Sequence, residues 1–321
     1  MSRVAIIIVT HNSETEIGRC LDALAATHST LETETIVVDN ASRDQTVAEV
    51  AARRVRLIPN ANNAGFAAAV NQGIRAGDAP LILLLNPDAH LVTACDALAA
   101  LFTDPRTGAA GGMLVDVDGR PQTGFMARNL PTPAALIFEV LGINRLWPSN
   151  PVNWQYRCLG IDPMTPGLVE QPAGAFLMFS RKVWEQLGGF DERFWPVWFE
   201  DVDFCARLKQ AGFYVHYNPK AVARHTGAHV IRRLALENRE RYWYGSVLEY
   251  AAKHYHPIAY RAVCLAVVSG AVARALREYP RHGPKAFAVY GAVCRLAMGR
   301  LFRLRRAPGS TVVRCNDLKN S

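Results

Sequence analysis

The sequence predicts an α/β protein: a mostly parallel sheet with helices on both faces, followed by a basic helical extension. Three observations carry this. Short apolar runs alternate with helical patterns over the first hundred residues, the signature of βαβ units. Polar clusters, His11-Asn12, Asp39-Asn40 and Asn86-Pro87-Asp88, stand where those runs end. The charge changes sign along the chain: residues 1–252 carry 23 Lys+Arg against 26 Asp+Glu, whereas residues 253–310 carry eleven against one, Glu278.

Arg3–Val9 reads as a buried strand, being short, continuous and β-branched. Ile17, Leu21 and Leu24 give residues 15–26 a helical spacing. Thr35–Val38 is a second strand, and Ser42-Arg43-Asp44-Gln45 has the form of a capping box before a helix over Val47–Arg53. Ser42 as the cap would leave Asp39 for a ligand. Val55–Ile58 is a third strand, Asn63-Ala64-Gly65 leads into a helix ending near Gly77, and Leu81–Leu85 is a fourth strand halted by Pro87. Beyond it, Asp118-Gly119 between Leu114–Val117 and Pro121–Phe125 predicts a hairpin. Residues 129–172 hold seven of the 18 prolines and read as a long irregular loop. Val169–Phe179 returns to a strand pattern. Val202, Cys205, Leu208 and Ala211 mark a helix closed by Gly212; Phe213–Tyr217 and Ala221–Ala223 are short strands, and Leu234–His254 is a helix.

Composition limits the function. Half of the residues are hydrophobic and 20% are charged, so the chain is neither disordered nor fibrous. Seven scattered cysteines without a C-x-x-C argue against a disulfide framework or a structural zinc cluster and fit a reducing compartment. The apolar run Val4–Val9 is too short for a secretion signal, so none is expected. Neither G-x-G-x-x-G nor G-x-x-x-x-G-K-[ST] occurs, which disfavours a dehydrogenase or a P-loop kinase. No Ser/His/Asp set sits in a nucleophile elbow.

In parallel sheets, ligands bind at the carboxyl ends of the strands. Asp39 there suits a ribose or base edge, or else caps a helix. Asp88 suits a hard cation shared with phosphate oxygens, or simply a turn. Glu200, Asp201 and Asp203 open a helix, where acids favour the dipole. Beside Trp195, Trp198 and Phe199, an ionised Asp also suits a general base in a sugar-sized pocket. His225 is a lone histidine that gains meaning only if it meets Asp88.

Together these stretches resemble the inverting family 2 glycosyltransferases, and among them the bacterial rhamnosyltransferases acting on lipid-linked acceptors. The matching segments are Val9–Asn12, Val38–Asp44, Asn63–Asn71, Leu85–Asp88, Gly188–Glu192, Phe199–Asp203 and His225, in that order, within residues 3–230. The resemblance implies a GT-A fold, Rossmann-like, over residues 1–230, with a nucleotide-sugar half (1–110) and an acceptor half (111–230), then a helical region over 231–321. It implies donor contacts at Thr10, Asn12, Asp39, Asn63, Gly65, Asn71, Asn86 and Asp88, with Asp39 on the pyrimidine base. It implies acceptor contacts at Gly174, Ala175, Trp198 and Glu200, a catalytic base at Asp201, and Mg²⁺ or Mn²⁺ at Asp88 and His225. The motif reads Asn86-Pro87-Asp88, a single carboxylate where the family has D-x-D, and Thr10-His11-Asn12 stands where Thr-Tyr-Asn is frequent.

The expected reaction is transfer of a sugar, L-rhamnose from dTDP-rhamnose, to a glycan hydroxyl on a polyprenyl-diphosphate acceptor. A UDP-sugar donor (galactofuranose or hexosamine) and a non-catalytic nucleotide-sugar binder are the alternatives. Residues 258–306 read as interfacial helices on an anionic membrane surface, as helices packed on the body, or as a nucleic-acid contact; the last ranks lowest, because no base-reading module is present. The expected location is the cytoplasmic face of the plasma membrane, and a homo-oligomer stays open.

Overall fold

The computed structural model describes residues 3–227 and 234–301. Strands β1 (Arg3–Thr10), β2 (Glu32–Asp39), β3 (Arg56–Pro59) and β4 (Leu81–Leu85) run parallel, linked by helices α1 (Ile17–Ala26), α2 (Thr46–Ala51) and α3 (Phe66–Ala76). β5 (Ala89–Leu91), α4 (Asp96–Ala99) and β6 (Thr107–Val115) follow, then β7 (Ala127–Arg128), α5 (Pro133–Leu141), α6 (Ile143–Leu146) and α7 (Pro151–Tyr156). β8 (Gly167–Leu168), β9 (Gln171–Pro172), β10 (Phe176–Ser180), α8 (Arg181–Gln186), α9 (Glu200–Gln210) and β11 (Tyr214–His225) complete the sheet region. Three helices end the described chain: α10 (Leu236–His254), α11 (Pro257–His282) and α12 (Pro284–Leu301).

The main sheet has the order β3-β2-β1-β4-β10-β6-β11-β5, with β8 on β11, while β7 and β9 form a separate ribbon. Because β10 inserts antiparallel between β4 and β6, residues on both sides of position 110 share one sheet. The period-2 alternation of β1 divides its side chains between two cores. Val4, Ile6 and Ile8 pack with Ile17 and Leu21 of α1, whereas Ala5, Ile7 and Val9 pack with Val70 and Ile74 of α3. A third core joins Leu136 and Val140 of α5 and Val202 and Ala206 of α9 to α10, α11 and α12.

Several expectations need correction. The stretch 129–172 is not an irregular loop, because two of its prolines start helices rather than break them. Pro133 and Pro151 occupy first-turn positions, where a missing N–H costs nothing, and Thr132 and Asn150 cap the turns by accepting from Ala135 N (3.1 Å) and Asn153 N (2.8 Å). The Asp118-Gly119 turn forms, but its return arm makes one isolated bridge, Val115 to Pro121, and no strand. Val169–Phe179 is two strands, β9 and β10, separated at residues 173–175. The two short strands after Gly212 are one strand, β11, with a register shift between Asn218 and Val222. Ser42 does not cap α2, which begins after Gln45 without a side-chain cap.

The basic region is a packed helical layer. α11 is long enough and apolar enough to cross a membrane by length and composition, and it buries Val263, Cys264, Val267 and Ala271 in the third core. Arg274 turns inward to Glu139 O (3.2 Å), and Arg300 pairs with Glu249 (3.1 Å). The outer face keeps Ile258, Leu265, Val272, Leu276 and Tyr279 exposed, at spacings that follow one helical stripe. α12 covers the second half of the basic region to Leu301; residues 302–306, with Arg303, Arg305 and Arg306, lie outside the described residues.

Candidate active site

A cavity of about 860 Å³ opens along the carboxyl ends of β1 and β4. Asp88, Asp201 and His225 all line it, although 113 positions separate the two aspartates. Thr10, Asn12, Asn63, Asn86, Gly174, Ala175, Trp198 and Glu200 line it too. The sheet topology explains the convergence: β4 leads to Asp88, β11 ends at His225, and the first turn of α9 brings Asp201 to the same cavity.

His225 Nε2 lies 3.5 Å from Asp88 Oδ1. Its Nδ1 meets Gln122 Oε1 at 3.0 Å, Gln122 Nε2 donates to the His225 carbonyl at 2.7 Å, and Phe125 stacks on the ring with centroids 5.1 Å apart. The imidazole is therefore oriented by a partner on its far nitrogen, as ligating histidines are. Among the described residues no group of three or more His, Cys, Asp or Glu could hold a metal. Asp88 and His225 fit a divalent cation that takes its remaining ligands from a diphosphate and water, the usual arrangement for Mg²⁺. An imidazole among the ligands suits Mn²⁺ as well.

Asp201 is gripped on both oxygens. Oδ2 accepts from Gly174 N (2.9 Å) and Gln171 Nε2 (3.2 Å), and Oδ1 from Val202 N (2.8 Å). Burial raises its pKa, against the pull of those amides and of the Arg128 guanidinium. Glu200 beside it is buried, and its Oε2 has no hydrogen-bond partner among the described residues. Burial, then the Asp201 charge, pushes the Glu200 carboxyl well above the usual carboxylate range. Both carboxyls are thus held above the ordinary carboxylate range, Glu200 the further of the two, a division suited to acid–base work. Trp198 (φ 79°) and Phe199 (φ 71°) just before them adopt left-handed backbone, a strain that side chains rarely accept and that turns Trp198 to the cavity.

Three implied donor residues do not reach the cavity wall. Asp39 is buried and accepts from Thr10 Oγ1 (2.8 Å), Ser42 Oγ (2.5 Å) and Ser42 N (2.9 Å). Ser42 therefore engages Asp39 rather than freeing it, and Asn40 lines the cavity instead. Gly65 lies beneath Trp195, where a Cβ would come 2.6 Å from the ring, and its φ of +88° suits glycine. Asn71 spans a turn instead: its Oδ1 accepts from Trp184 Nε1 (3.1 Å) and Phe190 N (2.9 Å), and its Nδ2 donates to Phe190 O (2.9 Å). Sequence reasoning missed Gln122, Phe125, Arg128, Asn238, Tyr242 and Trp243, which also line the cavity. The last three come from α10, so the C-terminal helices complete the site wall.

The model of "Glycosyl transferase family 2" matches residues 5–169, half of the chain. The chain belongs to this family. A second model, "Glycosyl transferase family group 2", matches residues 152–307. An N-acetylglucosaminyl-diphospho-decaprenol L-rhamnosyltransferase of Mycobacterium tuberculosis is 33% identical over 245 residues, 70% of this chain and 76% of the relative. The O-antigen chain rhamnosyltransferase RfbN of Salmonella typhimurium is 27% identical over 70% of this chain and 66% of its own length. Two solved structures share the fold. The mannosyltransferase PcManGT of Pyrobaculum calidifontis, in complex with GDP-Man and Mn²⁺, gives a TM-score of 0.51 at 19% identity, over 92% of this chain and 80% of the other. GalNAc-T7 with UDP, GalNAc and Mn²⁺ gives 0.53 at 15% identity, over 79% and 50%. The GT-A expectation is met, and this chain is a family 2 glycosyltransferase.

Proposed function

We propose that this glycosyltransferase moves L-rhamnose from dTDP-L-rhamnose, with inversion, to a hydroxyl of an N-acetylglucosaminyl-diphospho-polyprenol. The observation that carries it is the shared cavity, with the Asp88–His225 pair on one wall and Asp201 on another. The rhamnosyltransferase relatives favour this donor and acceptor.

The chemistry follows from the residues. The acceptor hydroxyl attacks the anomeric carbon, the bond to the diphosphate oxygen breaks, and the hydroxyl proton passes to Asp201 Oδ. Such general-base help is worth about 10²–10⁴-fold. Gly174 N, Gln171 and Val202 N hold the carboxylate, so little reorganisation accompanies the transfer. Glu200, whose carboxyl burial pushes well above the ordinary range, contacts the acceptor sugar. Thr10, Asn12, Asn40 and Asn63 border the nucleoside, and Asp39 holds Thr10 from beneath. A divalent cation bound to Asp88 and His225 would neutralise charge on the departing nucleoside diphosphate. A single displacement needs no covalent enzyme intermediate.

We place the enzyme on the inner face of the plasma membrane, as a peripheral protein. The exposed stripe of α11 supplies apolar contact, and the exposed Arg261, Arg277 and Arg281 beside it supply about 1 kcal/mol each against anionic lipid. Product detection from a panel of dTDP-rhamnose, UDP-galactofuranose and UDP-GlcNAc, with a short-chain N-acetylglucosaminyl diphosphate as acceptor, tests the reading. Transfer from dTDP-rhamnose alone is expected; transfer only from a UDP-sugar contradicts it.

A further inference from the structure

Resting on that reading of the acceptor, we infer that Arg128 forms the subsite that grips the diphosphate of the lipid-linked acceptor. A diphosphate taken out of water needs a cation, and the described cavity wall holds two residues of permanent positive charge, Arg128 and Arg157. Arg157 is committed to Glu139 at 3.3 Å. Arg128 donates Nε to the Gly124 carbonyl (2.8 Å), which leaves its terminal amino groups for a ligand, and no ion pair with a carboxylate engages it among the described residues. Its guanidinium lies over Phe125 (5.4 Å) and Tyr156 (6.0 Å), so the planar fork is set by two rings before a ligand arrives.

The position relative to the base points to the acceptor rather than the donor. Arg128 is directly paired with Gln171 across the β7–β9 ribbon, and Gln171 Nε2 donates to Asp201 Oδ2 at 3.2 Å. Directly opposed residues project side by side on one face, with Cβ atoms ~5 Å apart, about the width of a pyranose ring. An acceptor sugar with one hydroxyl on Asp201 therefore carries its anomeric phosphate toward Arg128. Phe125 stacks on His225 at the donor end and lies 5.4 Å from the Arg128 guanidinium. A guanidinium binds phosphate oxygens in a bidentate, charge-assisted manner.

Two measurements on the full chain test this. The first compares kcat/KM for an N-acetylglucosaminyl diphosphate on a short alkyl chain with that for the neutral alkyl glycoside. The wild type should prefer the diphosphate at least tenfold, Arg128→Met should collapse the ratio toward one, and Arg128→Lys should restore part of it. Equal losses on both acceptors, or a raised donor KM with the ratio kept, overturn the subsite. The second is thermal stabilisation by an alkyl diphosphate without sugar, in the presence of saturating dTDP and Mn²⁺. The wild type should be stabilised and Arg128→Met should not; an equal shift in both overturns the subsite. If no donor supports transfer to either acceptor while the alkyl diphosphate result holds, the rhamnosyl reading fails and the subsite stands.

Discussion

Gly174 and Asp201 touch in a way that only a glycine permits. The Gly174 N–H donates to Asp201 Oδ2 at 2.9 Å, and a Cβ on Gly174 would come 2.9 Å from that same oxygen and from the Asp201 Cβ. Gly174→Ala therefore displaces the carboxylate while the sheet behind it stays intact. Misplacing a catalytic group by about 1 Å costs on the order of 10²-fold, so kcat should fall by that scale with the donor KM little changed. Steady-state kinetics check this; a kcat within twofold of wild type would show that Asp201 position is unimportant.

Asn71 separates a structural role from a donor contact. Among the described residues its side-chain hydrogen bonds run to Trp184, Phe190 and Glu192, around the Gly188-Gly189 turn. Asn71→Leu leaves the Trp184 and Phe190 donors unpaired, at roughly 1–3 kcal/mol per buried group. Denaturant unfolding should register that loss, and donor KM among the surviving folded molecules should be unchanged. A raised donor KM without lost stability would return Asn71 to the donor site.

Asp203 ties the helix that carries the base to the C-terminal layer. Its buried carboxylate accepts from His254 Nε2 (2.8 Å) and Arg207 Nε (2.8 Å), and Lys253 Nζ lies 2.6 Å away. Burial opposes ionisation, but the His254 hydrogen bond and the Arg207 and Lys253 charges win, and the Asp203 pKa is lowered. A lowered carboxylate contributes stability above its unfolded pKa of about 3.9, and that stability is lost as pH falls through the folded value. Unfolding followed between pH 7 and pH 2 should show this acid loss in the wild type. Asp203→Ala should cost about 3–5 kcal/mol at pH 7, as expected for breaking a buried ion pair. Equal stability of the two proteins at pH 7 would refute it.

The α11 stripe gives a membrane prediction that spares the core. Deleting the helix would remove Val263 and Val267, which are fully buried, and uncover the third core they pack in, so point changes are the cleaner probe. Leu265 is 53% exposed and Leu276 62%. Replacing both with Glu should weaken sedimentation with anionic vesicles by at least tenfold, leaving transfer to a soluble short-chain acceptor intact. Undiminished vesicle binding would remove the stripe from the account.

The parallel half of the fold was legible because β1 and β4 are continuous apolar runs, β2 and β3 hold shorter ones, and their polar ends fall at one edge. Asp88, Asp201 and His225 could be nominated from their neighbours, but their meeting depends on β10 entering antiparallel, which no local pattern encodes. Helices α5 and α7 were misread because proline breaks a helix inside and begins one at the first turn. Ser42 was misread because a hydroxyl three residues after an acid reads equally as a helix cap or as that acid's partner. Arg128, Gln122 and Trp243 had no motif to mark them; their places come from a two-stranded ribbon and from α10 closing the cavity.

The most direct test is Asp201→Asn, measured for nucleotide-sugar binding by calorimetry with Mn²⁺ and for transfer across pH. Burial raises the Asp201 pKa, so the acid limb of wild-type kcat/KM should lie above the ordinary carboxylate range. The variant should bind donor within about twofold of wild type and lose ~10²–10⁴-fold in turnover together with that limb. An Asp201→Asn enzyme that turns over at the wild-type rate, with the same acid limb, would contradict the account.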